Sequence, residues 1–268
     1  MLKSSMNRLR SALRDRKLAG ADAKDHLFHA PPFDQKMAAA AQLISTRLSI
    51  RPDEASRILW QSEANDAAMV EYTVLQPLLS RLPKPRKVLE IGPGFGRSLV
   101  VFSKLNVWAD DAVIHLYDAD GTATKYKQEH YARPPQWPDV SSFCGNLPLL
   151  REVLAYNQIK NYTLIDAAQV PLRELPGPYD LIFGFYSIGF HWSLEYYLDD
   201  INPLMHDRSV LICTLNKHFK PFPLLSSFST RILQSQQVRK GTRPLSFMAI
   251  SKSELPNVGK GLKEAYPD

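Results

Sequence analysis

The sequence predicts an α/β fold: a doubly wound, mostly parallel, seven-stranded sheet with an antiparallel closing hairpin, plus an N-terminal helical cap. Three observations predict it. Five short apolar runs alternate with helical stretches between residues 87 and 214. The first run ends in Gly92, Gly94 and Gly96, three of the chain's 12 glycines within five residues. Residues 231–252 then read as two strands about Gly241. Strands alternating with helices need crossovers, which gives a parallel sheet with helices on both faces, and a terminal hairpin can only close it antiparallel.

At 268 residues and 44 % apolar content the chain can bury a real core. Its longest apolar runs fall short of the roughly 18 residues a membrane span needs. Cys144 and Cys213 stand far apart in no CxxC, which points away from a disulfide scaffold or a zinc knuckle. The net charge of +6 belongs to the two ends. Residues 1–20 hold six basic side chains against Asp15, residues 21–216 hold 18 basic against 23 acidic, and residues 217–268 hold nine against three. The body is acidic, so no nucleic-acid partner is expected, because that would need a basic stripe along it.

Residues 1–24 form a basic N-terminal segment. Leu2, Met6, Leu9 and Leu13 recur at helical spacing among arginines, which suits a solvated extension or an amphipathic helix on a membrane surface or protein. No secretory h-region with a cleavage site precedes the body, so a cytoplasmic location is expected. Residues 25–85 form the helical cap. Apolar positions from Met37 to Leu79 recur in steps of three and four, Asp53-Glu54 suits a helix start, and Pro83 and Pro85 stop the last helix.

The main domain covers 86–252. Strands are predicted at Lys87–Ile91, Val113–Asp118, Asn161–Asp166, Tyr179–Phe183 and Ser209–Thr214, with helices at 96–106, 121–131, 147–157 and 194–205. The closing hairpin runs from Ile232 to Val238 and from Leu245 to Ile250. The stretch 133–148, with Pro134, Pro135, Pro138 and Pro148, is a long loop or insertion, and 253–268 form a C-terminal tail.

Glu90-Ile-Gly92-Pro-Gly94-Phe-Gly96 follows a strand and opens a helix. A tight strand-to-helix turn needs residues without a Cβ, and it lets a ligand reach the backbone and the helix N-terminus. The dinucleotide fingerprint places glycines at relative positions 1, 3 and 6. Here they stand at 1, 3 and 5, after an acid that would repel a pyrophosphate and suit an ammonium group.

This loop resembles motif I of class I S-adenosylmethionine-dependent methyltransferases, and later segments resemble that family in order. Tyr117-Asp118-Ala-Asp120 lies where the family holds the ribose hydroxyls with an acid, and either Asp118 or Asp120 fills that role. Leu164-Ile-Asp166-Ala167 through Leu172 is similar to the family's adenine-contacting G-D-A-x-x-L-P segment. Pro178-Tyr-Asp180-Leu-Ile-Phe183 resembles its fourth strand, and His191-Trp192 its following His-Trp, with two residues inserted. The resemblance spans about 87–252. It implies S-adenosyl-L-methionine as cofactor, held by Glu90, Gly92, Gly94, Gly96, Asp118, Asp120, Asp166 and Ala167, with Tyr186 as a candidate to stack on the adenine. Pro93 departs from the small or acidic residue more usual there.

Methyl transfer is an in-line displacement in which the enzyme mainly positions two reactants, and a hydroxyl acceptor also needs a base. His191 is the first candidate base, with packing beside Trp192 as its alternative role. Glu195 is the second, although helix starts attract acids in any case. Asp180, inside a strand motif, reads as structural. Phe185, Tyr186, Phe190, Trp192, Tyr196 and Tyr197 either stack on ligands or pack the core, and Trp137 is a candidate lid. No metal is expected: His26-Leu-Phe-His29 lacks an H-E-x-x-H context. Neither a G-x-S-x-G elbow nor an N-P-P-Y tetrapeptide follows the fourth strand, which reads Gly184-Phe-Tyr-Ser187. The expectation is therefore methyl transfer to a small-molecule or sugar acceptor, on oxygen. The rivals are a non-catalytic methyltransferase-like binding module and an NAD-binding oxidoreductase.

Overall fold

The computed structural model describes residues 27–28, 51, 62–119, 147–185, 187–189, 194–214, 224–234 and 246–260. Within them the chain runs α1 (Ser62–Leu79), β1 (Lys87–Ile91), α2 (Arg97–Lys104), β2 (Val113–Asp118), α3 (Leu147–Tyr156), β3 (Tyr162–Asp166), β4 (Tyr179–Gly184), α4 (Leu194–Ile201), β5 (Met205–Thr214), β6 (Ser229–Gln234) and β7 (Ser246–Ser251). The sheet has seven strands in the order β3-β2-β1-β4-β5-β7-β6. Strands β1 to β5 pair in parallel, while β7 pairs antiparallel with both β5 and β6.

Alternation along the strands divides the core between the two faces. Val88 and Leu116 lie on one face with Leu75 and Leu78 of α1, Leu99 and Phe102 of α2, and Leu150 and Val153 of α3. Leu89 and Ile182 lie on the other with Leu194 and Leu198 of α4. Helices thus cover both faces, and β1 to β4 marks the reversal of strand order, outside whose carboxyl ends open α/β sheets take their ligands.

Local boundaries depart from expectation where proline intervenes. The helix expected over 194–205 ends at Ile201, because Pro203 offers no N–H; a 3-10 turn over Asn202–Leu204 follows. Strand β5 accordingly starts at Met205, four residues earlier than expected. The last cap helix carries Pro77 within its final turn and ends at Leu79. Strand β6 begins at Ser229, and the expected continuation to Val238 lies outside the described residues. The tail contributes to the core as far as Val258, and Lys260 bridges Ile232 in both directions, at 2.7 and 3.0 Å.

Candidate functional site

The carboxyl ends of β1, β2 and β3 converge. Asp118 pairs in register with Asp166, and Gly92 N–H donates to Tyr117 O at 2.8 Å. The glycine loop turns sharply after Ile91: Gly92, Gly94 and Gly96 have φ of 69°, 57° and 71°. Two of these need glycine for a second reason. A Cβ at Gly92 would stand 2.5 Å from Ser187 Cβ, and one at Gly96 2.8 Å from Leu150 Cδ1. Gly96 is the N-cap of α2 and makes no side-chain cap bond, so the helix start presents backbone donors beside the loop. Ser187, just after β4, hydrogen-bonds Ile91 O and closes the loop from the β4 side.

Glu90 shares its sheet face with Val88, on the side of α1 and α2. It is 3 % exposed, and its Oε2 has no hydrogen-bond partner. Burial first, then the Glu71 and Asp118 charges, push its carboxyl well above 4.5, against an opposing pull from Arg97. A buried acid with an orphaned oxygen among like charges stays protonated unless a cation reaches it.

Asp118 accepts Gly94 N–H through Oδ2 at 3.2 Å and Ala119 N–H through Oδ1 at 2.8 Å. Asp166 accepts Ala168 N–H at 2.9 Å and Gln169 Nε2 at 3.0 Å, while Ala167 N–H donates to Asp118 O at 2.9 Å. Glu90, Gly92, Gly94, Gly96, Asp118, Asp166 and Ala167 therefore meet at one sheet edge. Asp120, Tyr186, His191, Phe190, Trp192 and Trp137 lie outside the described residues.

Glu195 occupies the first turn of α4 and is exposed. Phe185 belongs to the core rather than to the loops: it is 7 % exposed, with ring centroids 5.2 Å from Phe183 and 5.1 Å from Phe247. Tyr196 and Tyr197 meet edge-on at 5.1 Å, and Tyr196 is largely exposed. Asp180 accepts the backbone N–H groups of Arg86 and Lys87 at 2.8 and 2.9 Å and pairs with His206 Nε2 at 3.0 Å, a structural arrangement at the opposite ends of the strands. Among the described residues no cluster of His, Cys, Asp and Glu could hold a metal ion, and no helix is long and apolar enough to cross a membrane.

Two residues escaped the sequence reading. Glu71 of α1 is fully buried and binds Arg97 Nη2 at 3.0 Å and Ser98 Oγ at 2.5 Å. Its signal was available, since Glu71 shares the face of Ala68, Leu75 and Leu78 at steps of three and four. Ser187 carried no such signal, because its role depends on β1 and β4 being neighbours.

The sheet is doubly wound and mostly parallel, in the order β3-β2-β1-β4-β5-β7-β6, with antiparallel closing strands. Solved structures similar to this chain include precorrin-6y C5,15-methyltransferase from Geobacter metallireducens, at 18 % identity, 69 % coverage of this chain, 88 % of that one and a TM-score of 0.46. Another is the O-methyltransferase from Bacillus cereus in complex with SAH, at 12 % identity, 94 % and 99 % coverage and a TM-score of 0.44. No protein-family profile and no curated protein sequence matches the chain.

Proposed function

We propose that the protein is an S-adenosylmethionine-dependent methyltransferase acting on a small-molecule or sugar acceptor, at oxygen. The observation that carries the cofactor is Glu90: a buried acid, one oxygen without a partner, directly before a turn that brings ligand and backbone together. That pairing suits a ligand with an ammonium group and disfavours a dinucleotide pyrophosphate, which the same acid repels. S-adenosylmethionine supplies an electrophilic methyl on a sulfonium. The chain's part is to hold it. Glu90 receives the ammonium group, the Gly92–Gly96 turn lets the ligand lie against the backbone, Asp118 or Asp120 accepts from the ribose hydroxyls, and Asp166 with Ala167 borders the adenine, on which Tyr186 stacks.

The acceptor is the finer part of the proposal. Oxygen is supported by the absence of an N-P-P-Y tetrapeptide after β4, where Gly184-Phe-Tyr-Ser187 stands, and by His191 as a candidate base, histidine being the side chain suited to that role near neutral pH. Glu195 is the second base. Residues 1–20 would provide a contact to a membrane surface or a protein, and the chain would work in the cytoplasm.

Calorimetry with S-adenosylhomocysteine tests the cofactor: the chain binds it, and Glu90→Ala and Asp166→Ala weaken binding at least about tenfold, the scale of losing a charge-assisted contact. Binding of NAD instead identifies an oxidoreductase, and binding of neither leaves the module reading. A panel of acceptors followed by S-adenosylhomocysteine release then identifies the substrate. In that assay His191→Ala lowers turnover and spares cofactor affinity; unchanged turnover retires His191 as the base.

A further inference from the structure

One peptide unit joins β1 to the glycine turn, and it is gripped from both neighbouring strands. Gly92 N–H donates to Tyr117 O on the β2 side, so the carbonyl of Ile91, one residue earlier, faces β4. The pairing of β1 with β4 closes at Glu90 and Phe183, and β4 ends at Gly184. The Ser187 hydroxyl donates to the Ile91 carbonyl in place of a further rung. The segment after β4 is shaped to bring that hydroxyl back. Ile188 N–H donates to Gly184 O at 3.3 Å, and Gly189, at a φ of 75°, lies so close to β5 that a Cβ would stand 2.2 Å from Thr214 O. Two further glycines leave the space that Ser187 fills. A Cβ at Gly92 would stand 2.5 Å from Ser187 Cβ, and one at Gly184 2.7 Å from Ser187 Oγ and 2.8 Å from Ile91 O. The plane of the Ile91–Gly92 peptide sets the direction in which the chain leaves Glu90 for the turn. Asp118 and Asp166 depend on it less, because β2 and β3 hold them in register and Ala167 N–H bonds Asp118 O.

We propose, on the S-adenosylmethionine reading above, that Ser187 is a positioning residue for the amino-acid end of the cofactor: by holding the Ile91–Gly92 peptide from the β4 side it fixes the glycine turn beside Glu90. Ser187 acts through that peptide. It makes the segment after β4 a determinant of cofactor affinity.

Calorimetric titration of the full chain with two ligands tests this: S-adenosylhomocysteine, which carries the ammonium group, and methylthioadenosine, which lacks the amino-acid end. Ser187→Ala removes the hydroxyl and lowers S-adenosylhomocysteine affinity about tenfold, the upper range for one hydrogen bond, while methylthioadenosine affinity stays within about twofold. Ser187→Thr keeps the hydroxyl and binds S-adenosylhomocysteine within about threefold of the unaltered chain. Unchanged S-adenosylhomocysteine affinity in Ser187→Ala overturns the proposal. An equal loss for both ligands also overturns it, since a merely structural role weakens the whole site alike, and so does a Ser187→Thr protein as weak as Ser187→Ala. Should Ser187→Thr fail to fold, the split between the two ligands in Ser187→Ala decides; should methylthioadenosine bind the unaltered chain too weakly to titrate, Ser187→Thr decides. If the unaltered chain does not bind S-adenosylhomocysteine, the cofactor reading itself fails and takes this inference with it, whereas normal binding with the wrong variant pattern removes only the role of Ser187.

Discussion

A carboxyl group buried beside two other carboxylates holds its proton at pH values where an exposed glutamate has lost it, and Glu90 is in that position. On the proposed S-adenosylmethionine reading, an arriving ammonium group needs the carboxylate, so binding below the raised pKa of Glu90 expels a proton. The sign follows. Affinity for S-adenosylhomocysteine rises with pH through the range in which free Glu90 titrates and levels off above it. Titrations in two buffers of different ionisation enthalpy reveal the released proton as a difference in apparent heat. Glu90→Gln abolishes both the difference and the pH dependence, and a persistent difference in that variant would assign the proton elsewhere. At the same scale, Gly92→Val meets a positive φ and Ser187 Cβ at 2.5 Å. The backbone must shift where the proposed cofactor would lie. Cofactor affinity is therefore lost by more than about tenfold, together with part of the stability, as for a side chain forced into left-handed backbone.

At the scale of elements, the amino ends of the strands are pinned by one acid as the carboxyl ends are opened by others. Burial pushes the Asp180 carboxyl up, but hydrogen bonds from His206 and from the backbone of Arg86 and Lys87 outweigh it and hold the group below 3.8. A depressed carboxyl stabilises the fold above its unfolded pKa, and that contribution is lost as pH falls through the folded value. Asp180→Ala consequently destabilises the protein at neutral pH by about 1 kcal/mol, the low end for unpaired donors because the site is partly open to solvent. Thermal melts of both proteins should show the gap at pH 7 and its narrowing below pH 4. A gap that stays constant with pH would assign the loss to packing.

At the scale of the whole molecule, both ends of the described chain add to the packing of the fold. Phe28 is 2 % exposed and lies in the core beneath α1 and α2, and Lys104 Nζ donates to Leu27 O at 2.6 Å. Phe28→Ala leaves a cavity there and lowers stability by roughly 3–5 kcal/mol in a denaturant titration, the usual cost of a large core truncation. A change under about 1 kcal/mol would mean that the segment docks without contributing. On the far edge, residues Leu255 and Val258 are buried and Lys260 pairs with Ile232, so β6 does not end the sheet as a bare row of donors and acceptors.

The alternation of strands and helices, the glycine loop and the acid before it were legible in order along the chain, because each depends on near neighbours: a period of two or 3.6, a turn that tolerates no Cβ, a proline that ends a helix. Proline also marked the failure, since Pro203 stops α4 early and the sequence reading ran the helix to 205. Of the site, the residues at strand ends could be named from sequence, and Asp118 and Asp166 stand side by side because β2 and β3 pair in register. Aromatic residues could not be divided between ligand and core from sequence; Phe185 joins Phe183 and Phe247 only because β4, β5 and β7 are neighbours in the sheet. Glu71 shows the difference most sharply. Its spacing placed it on a buried helix face, yet its partners lie 26 and 27 residues away. Local order and the chemistry of the glycine turn belong to the sequence alone. Which cation each buried acid receives is decided by the tertiary structure, since desolvation and ion pairing depend on groups that only folding brings together.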